Sequence, residues 1–583
     1  MDVGQGRGPQ AKGGSQVRPA CFPGNQRIYL VYSEFRILYF NPVLTIFSAQ
    51  TLENLDVKQL FNISDMVRTH ARLRPNDIGA MDSRRRLTFA QWNHRADQLA
   101  AGLLAQGVSA GDRVGVLAHN CVEWLEIYVA LARAGLVALP INFRLVGHEI
   151  GYILGDAQAV ALICTSLLQD KVQAVWPTLG LKACVQLGGE TLSGWLDYEA
   201  LMAHATIPTQ WPTVQPKDTC ALMYTSGTTG KPKGAIRSHE ASTLIAYATA
   251  MEMGFTKEDK ALLVMPLCHA NSLYFANTFM HLGACIVVDD SVSFDPVRVM
   301  QWLSQEGITF TSLVPTHYIM MLALSADTSR QFATGSVARL LISSAPANES
   351  LKRDIQTLFP NGQLYELYGS TEAGWVTILR PQEQLTKLGS VGREWAGSGP
   401  IKIMNEQRQE VPDGEVGELY SCTPYAFEGY WNAPEKTQQA YAGAWCSVGD
   451  MARRDEDGFI WLMDRKSNMI ISGGENIYPS EVEAVLAAHP AVQEVAVIGM
   501  PHEKWGETVQ AVVVLKAHAH CQEDELKQWC KHQLAGYKQP RVIRFLAAAD
   551  MPRTATGKIV HRQLKEHFAL QAHRMAGNAT TVS

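Results

Sequence analysis

From residue 61 onward the chain alternates short apolar, β-branched runs with amphipathic stretches of helical period. The runs include Asp112–Ala118, Val160–Cys164, Thr219–Tyr224, Ala261–Met265, Ala284–Val288 and Leu340–Ser343, and between them stand segments such as Glu123–Ala134 and Pro296–Gln305. Runs of roughly four to eight residues that are apolar on both faces must be covered on both faces, and a helix after each strand supplies that cover. The alternation therefore predicts an α/β fold with largely parallel sheets. No fixed-period repeat is present, so a solenoid or propeller is excluded. A Pro/Gly-marked stretch at 393–417, followed by short strand-like runs through 463, predicts a smaller β-rich subdomain. After residue 467 the texture becomes α+β: helix 480–488, strands 494–499 and 508–515, helix 523–535 and strand 541–547. At roughly 150 residues per domain, 583 residues amount to about four domain-equivalents. They are read as an extension at 1–58, an N-terminal domain at 59–466 made of two αβ layers plus the β-rich subdomain, and a small C-terminal domain at 467–583.

Composition removes several classes of function. The 51 Lys+Arg against 56 Asp+Glu leave a net charge of -5, which gives no global attraction to nucleic acid or acidic membranes. The 11 cysteines form no CxxC pair, so a zinc site is not expected, and their scatter reads as reduced core thiols in the cytoplasm. Residues 1–20 are rich in Gly and Gln and read as disordered, or as an upstream start-site error. Residues 28–48 are aromatic and apolar but carry Glu34, Arg36 and Pro42, which makes them a poor membrane span. No integral membrane segment is expected, and the organised chain is read as beginning near Val57–Phe61.

Five segments carry chemistry. The first follows the apolar run Ala221–Met223 and reads Tyr224-Thr-Ser-Gly-Thr-Thr-Gly-Lys-Pro-Lys-Gly234. Small hydroxyl and glycine residues directly after a buried strand can wrap N–H groups and hydroxyls around phosphate oxygens, and Lys231 and Lys233 add charge. A Walker A loop is excluded, because Gly227 and Gly230 lack the GxxxxGK[ST] spacing and Pro232 follows Lys231. The second segment, Tyr365-Glu-Leu-Tyr-Gly-Ser-Thr-Glu-Ala-Gly374, places Glu372 where a carboxylate could hold Mg²⁺ on nucleotide phosphates; taken alone, it reads as a solvated loop acid. The third, Trp445 to Arg453, contains Asp450 after Gly449, a pairing that by itself reads as a turn. The fourth is Asp464-Arg-Lys-Ser-Asn-Met-Ile-Ile-Ser-Gly-Gly-Glu-Asn-Ile-Tyr-Pro479, and the fifth, Pro552-Arg-Thr-Ala-Thr-Gly-Lys-Ile559, puts Lys558 at the tip of a Gly/Thr loop. His148-Glu149 has no second His at Tyr152 and no GxSxG elbow occurs, so zinc-protease and hydrolase readings lose support.

In order and spacing, the five segments resemble the adenylate-forming superfamily of acyl-CoA synthetases, peptide-synthetase adenylation domains and firefly-type luciferases, over roughly residues 60–570. The resemblance implies that ATP, Mg²⁺ and CoA are the cofactors. It implies that Thr225, Ser226, Gly227, Thr228, Thr229, Gly230, Lys231 and Lys233 surround the ATP phosphates. Ser344, Ala345 and Pro346 would flank adenine together with Tyr368, Thr371 would lie near the α-phosphate, and Gly369 and Ser370 would also bind the nucleotide. Glu372 and Thr225 would hold the metal, Asp450 the ribose hydroxyls, and Arg465 the ribose and phosphate. Lys558 would reach in from a mobile C-terminal domain that rotates after the first half-reaction, bringing Gly473 and Gly474 to a thiol channel. The family's pivot, an Asp or Lys, is here Ser467. His269 matches an aromatic position between acid pocket and channel, beside Asn271.

The resemblance further implies an ATP-dependent acid–CoA ligase that forms a carbon–sulfur bond and works on a small-molecule carboxylic acid, ATP and CoA, with no nucleic acid; a homodimer is compatible. The acid is expected to be hydrophobic, with a fatty acid placed ahead of an aromatic one. An aromatic-acid CoA ligase, an acyl-AMP ligase loading a separate carrier protein and a non-catalytic paralogue are the alternatives. Trp375 either shortens the acyl tunnel, stacks on a ring, or simply packs. Lys531, Lys538 and Arg541 are set equally between a CoA-facing patch and plain surface basicity.

Overall fold

The computed structural model describes residues 19–21, 27–29, 35–38, 45–48, 61–225, 232–343, 347–466, 468–472, 475–531, 533–554 and 557–579. The chain divides into two units, Met1–Leu60 and Phe61–Ser583. In the first unit, Pro19–Cys21 pairs antiparallel with Arg27–Tyr29, and Phe35–Leu38 with Thr45–Ser48.

The second unit is built on two large sheets. Across the first run Leu196–Asp197, Ala183–Leu187, Ala159–Thr165, Arg113–Leu117, Val137–Pro140, β1 (Thr219–Thr225), β2 (Lys233–Ser238) and Gly429–Tyr430. All neighbours are parallel up to β1; β1 and β2 then form an antiparallel pair with Thr225 opposite Lys233. Across the second run Arg86–Thr88, Ile78–Met81, Cys285–Val288, Lys260–Leu263, β3 (Phe310–Leu313), β4 (Arg339–Ser343), β5 (Gln363–Ser370), β6 (Gly374–Leu379) and Arg393–Glu394. Its middle is parallel and its two ends antiparallel. Each strand expected in these two sheets is present within two residues, and Glu123–Ala134 and Pro296–Gln305 are helical over the expected spans.

One continuous apolar core joins Val114, Val116 and Met223 of the first sheet to Leu263, Ile286 and Phe310 of the second. Helices fill the space between: Trp92, Trp124 and Phe275 are all buried. Two helices carry the site, α1 (Gly147–Asp156) and α2 (Ala270–Leu282). The latter stops because Gly283 takes φ 67°, a left-handed conformation open to glycine at no steric cost.

A third sheet orders Tyr441–Ala442, Trp445–Cys446, Gly417–Ser421, β7 (Asp450–Arg454) and β8 (Ile460–Arg465), with Ile401–Met404 beside Gly417–Ser421. This is the expected β-rich part. Beyond it, Val492–His502 pairs antiparallel with Gly506–Leu515, Val542–Phe545 joins the latter in parallel, and helices Pro479–Ala487 and Glu523–Lys531 pack on this small sheet through Val482, Leu486, Leu526 and Cys530. The helix expected over 523–535 ends at Lys531, before Gly536. Among the described residues no helix is long and apolar enough to cross a membrane.

Candidate active site

Ligand crevices of open parallel sheets lie beyond the carboxyl ends of their strands. Here two such ends meet. Thr225 closes β1, and Glu372 sits in the turn between β5 and β6. The Thr225 hydroxyl donates to Glu372 Oε1 at 3.2 Å, and the Tyr430 hydroxyl donates to the same oxygen at 2.9 Å. Glu372 is not the solvated acid that its loop position suggests, being only 7% exposed. No Lys or Arg forms an ion pair with it among the described residues. A buried carboxylate with hydroxyl neighbours and no protein counter-ion has the all-oxygen donor chemistry that Mg²⁺ takes, so Glu372 and Thr225 fit that ion.

The turn is held from beneath. Arg237, fully buried on β2, donates to the carbonyls of Thr371 and Glu372 at 3.4 Å each. The Tyr274 hydroxyl on α2 donates to the Thr371 carbonyl at 3.1 Å, the Phe427 N–H to that of Glu372 at 2.7 Å, and the Ala373 N–H to the Ser370 hydroxyl at 2.9 Å. Arg237 has no carboxylate partner among the described residues, so its charge lies directly under a carboxylate-bearing turn. Lys233 stands 4.7 Å over the Tyr430 ring; burial and the charge of Lys436 lower its pKa, against the pull of Glu372.

One residue before Gly369, the Tyr368 hydroxyl donates to Asp450 Oδ2 at 2.6 Å. Asp450 opens β7 and is 9% exposed, so it is a buried strand residue rather than a turn. Arg465 lies opposite it in the β7–β8 ladder. His269 precedes α2, and its Nε2 is buried with no hydrogen-bond partner among the described residues. Burial first, then the charges of Arg144 and Lys558, push this imidazole down to about 4 and keep it neutral near pH 7. Lys558 itself lies in a turn between the bridged residues Arg553 and Ile559. It sits in a turn closed by the Thr554 N–H on its carbonyl at 2.7 Å and by its own N–H on the Thr554 hydroxyl at 3.1 Å. Asn271 is held between the ends of two strands, accepting from Ser312 at 3.1 Å and donating to Ser343 at 3.2 Å. Trp375, 4% exposed, lies in the apolar core.

Ser226–Lys231, Ser344, Ala345, Pro346, Ser467, Gly473 and Gly474 lie outside the described residues. Their described flanks are anchored. Lys466 bonds to Glu418 at 3.2 Å, and Asp464 accepts from Asn468 and from the Ser480 N–H at 3.2 Å each. Both stems of 226–231 meet the end of α1. Asp156 Oδ2 accepts from the Tyr224 hydroxyl at 2.5 Å, the Asp156 carbonyl accepts from the Trp431 indole at 3.0 Å, and the Tyr152 hydroxyl donates to the Pro232 carbonyl at 3.5 Å. Burial, followed by the Asp156 hydrogen bond, raises the pKa of Tyr224.

Motif reading missed Tyr430, Arg237 and Asp156. Arg237 had a signal, a charge inside the short run Gly234–Ser238 right after the hydroxyl-rich loop. Tyr430 and Asp156 had none, being 58 and 68 residues from their partners. Elsewhere, His489, Cys521 and Glu525 cluster at metal-ligand distance. However, His489 Nδ1 accepts the Ala491 N–H at 3.2 Å, so a neutral ring carries its proton on Nε2 and presents no lone pair to the cluster.

The sequence profile of the AMP-binding enzyme family matches residues 67–431, and that of the AMP-binding enzyme C-terminal domain matches 481–558. The 2-succinylbenzoate–CoA ligase of Geobacillus kaustophilus is 34% identical over 509 residues, covering 86% of this chain and 96% of that protein. The anthranilate CoA ligase AuaEII, solved in complex with anthranoyl-AMP, superposes with a TM-score of 0.81 at 28% identity, covering 89% of this chain and 99% of that one. The o-succinylbenzoate CoA synthetase MenE of Bacillus subtilis, solved with ATP and a magnesium ion, gives a TM-score of 0.76 at 28% identity, covering 86% and 99%.

Proposed function

The chain belongs to the AMP-binding enzyme family, and from that premise we propose that it is an ATP-dependent acid–CoA ligase acting on a hydrophobic carboxylic acid. It joins the acid to ATP as an acyl-adenylate with release of pyrophosphate, then passes the acyl group to the thiol of CoA with release of AMP. The observation that carries this reading is the buried Glu372 carboxylate, which accepts from Thr225 and Tyr430, forms no ion pair among the described residues, and follows by four residues Tyr368, the donor to Asp450.

A carboxylate is a poor electrophile, so its carbon needs a leaving group. A carboxylate oxygen attacks the α-phosphorus, and the bond from that phosphorus to the pyrophosphate oxygen breaks. Mg²⁺, when bound, neutralises charge that builds on the phosphate oxygens. Glu372 and Thr225 are the residues that would hold it. Thr225, Ser226–Lys231 and Lys233 surround the β- and γ-phosphates, and Arg237 beneath the turn adds fixed positive charge to that side. Tyr368 and Ser344–Pro346 face adenine, Thr371 faces the α-phosphate, and Asp450 and Arg465 hold the ribose. Lys558 places a cation on the oxygens that link acid and phosphate. His269, neutral, then borders the path by which the thiol reaches the acyl carbon and AMP leaves. Gly473 and Gly474 line that path, and the segment at Ser467 is the pivot.

Mass spectrometry of the product, with CoA and with phosphopantetheinylated carrier protein as competing acceptors, tests the assignment. An acyl-CoA mass with an unloaded carrier is expected. A loaded carrier with no acyl-CoA would make the enzyme an acyl-AMP ligase, and a recovered acyl-adenylate with neither thioester would refute both.

A further inference from the structure

A cavity of about 30 Å³ lies where β1, α2 and the helix His239–Met253 meet. Cys220 of β1, His239 and Asn277 line it, with Tyr128, Ser242 and Thr243. Four of these six have partners. The Tyr128 hydroxyl donates to the Leu267 carbonyl at 2.9 Å, and the Thr243 hydroxyl to the Phe61 carbonyl at 3.2 Å. The Cys220 thiol donates to the Ser238 carbonyl at 3.3 Å and lies 3.0 Å from the Ser242 hydroxyl. The other two are different. His239 and Asn277 are each 4% exposed, and His239 Nε2 and Asn277 Oδ1 have no hydrogen-bond partner among the described residues. Burial pushes the His239 imidazole down to about 4, against the pull of Asp218, so the ring is neutral near pH 7. A buried polar atom costs free energy unless something pairs it, and native interiors pair nearly all of them.

Size alone does not mark such a site. A larger cavity of about 280 Å³ lies beside Arg113 and Trp431. There Arg113 donates to the carbonyls of Ala157 at 2.8 Å, Gly111 at 3.0 Å and Gln158 at 2.7 Å, and the Trp431 indole donates to that of Asp156 at 3.0 Å. Among the described residues that line it, no buried side-chain atom lacks a partner.

We propose that the smaller cavity is a built water site, in which an ordered water bridges His239 Nε2 and Asn277 Oδ1 and ties the start of helix His239–Met253 to α2. A buried water takes roughly 10–15 Å³ measured in this way, so the cavity holds one with room for a second. Water fits the donor set where other small ligands do not. Asn277 Oδ1 only accepts, so a bare anion gains nothing from it. A metal ion finds neither carboxylate nor thiolate among these six residues, because burial raises the pKa of the Cys220 thiol and keeps it protonated. Water donates to Oδ1, and it either donates to Nε2 or accepts from it, so it suits both tautomers of the ring. The tie falls next to the supports of the Glu372 turn. His239 is two residues past Arg237 and Asn277 three past Tyr274, and Arg237 and Tyr274 are the side chains that hold the carbonyls of that turn. The water links these two supports, and its presence is independent of the acid–CoA ligase reading.

A crystal structure of the full chain, at a resolution that shows ordered water, reads the site directly. A peak about 2.7–3.2 Å from both His239 Nε2 and Asn277 Oδ1 is expected. Asn277→Leu keeps the size of the side chain and removes the acceptor, and the peak is expected to disappear. In solution, relaxation dispersion of the water nuclei counts long-lived buried waters, and the count is expected to fall in Asn277→Leu relative to the wild type. The wild-type map decides by itself if the variant does not fold. A wild-type map with no peak within reach of both atoms, a protein atom in that place, or a water count that Asn277→Leu leaves unchanged overturns the proposal.

Discussion

Glu372 and Trp375 are three residues apart on one hairpin, yet they sit in opposite kinds of environment. Around Glu372 everything is polar and directed: two hydroxyls on one oxygen, a guanidinium under the backbone, and a Tyr–Asp pair alongside. Around Trp375 the contacts are aromatic faces and edges, with one hydrogen bond fixing the ring. The first environment needs particular atoms at particular places, because it must stabilise charge. The second needs only volume, because it is packed apolar core. A polar cluster and a packed core are thus separated by a single β-turn.

That contrast can be broken from the polar side with the largest effect. Lys558→Ala is expected to slow acyl-adenylate formation by about 10²–10³, the usual loss when one charge-stabilising group is removed. Thioester formation from supplied acyl-adenylate is expected to continue near the wild-type rate. Single-turnover assays of the two half-reactions check this, and an equal loss in both would contradict the role given to Lys558. Glu372→Gln keeps the size and shape of the side chain but discards the charge. A drop of about 100-fold in kcat is expected, with a rightward shift of the magnesium titration, which a purely structural role for Glu372 would leave in place.

Asp156 offers a gentler test of the same half. It sits at the C-terminal end of α1, the end at which a helix disfavours a negative charge, and its carboxylate accepts from Tyr224 at the stem of the hydroxyl-rich loop. Asp156→Asn retains an acceptor and loses the charge. KM for ATP is expected to rise about tenfold while KM for acid and CoA stays fixed, in line with the ~1.5–3 kcal/mol of a charged hydrogen bond. Equal changes in all three would make Asp156 a general staple.

How much of this the sequence revealed follows the same division. The α/β architecture was legible because strands buried on both faces must be apolar along their length, as Ala159–Thr165 and Arg113–Leu117 are. Glu372, Asp450 and Lys558 were singled out only through the order and spacing of the five segments, since alone Glu372 read as a solvated loop acid and Asp450 as a turn. Tyr430 and Asp156 were not, since each reaches its partner only through folding across 58 or more residues, and Arg237 left as its signal only its place in the short run after the hydroxyl-rich loop. Trp375 was legible as a residue but not as a core position, because its partners Thr249 and Trp395 come from unrelated segments.

The smallest effect belongs to the scaffold shared by both halves. His239, His269, His281 and His317 are held at about 4, chiefly by burial. In an unfolded chain they would titrate near 6.5. Between those values the unfolded chain takes up protons that the folded chain refuses, so stability is full above about 6.5 and falls as the pH drops towards 4. His239→Gln is expected to flatten that fall by up to about 1.4 kcal/mol per pH unit, read from urea unfolding at several pH values.

The central claim is that this hairpin serves an acid-activating, CoA-acylating enzyme. Pyrophosphate release from ATP and Mg²⁺, followed across a panel of aliphatic and aromatic acids with CoA present, tests it most directly. Release that depends on the acid is expected, matched by AMP and acyl-CoA in equal amounts. Release independent of every acid, or no release with any of them, would contradict it.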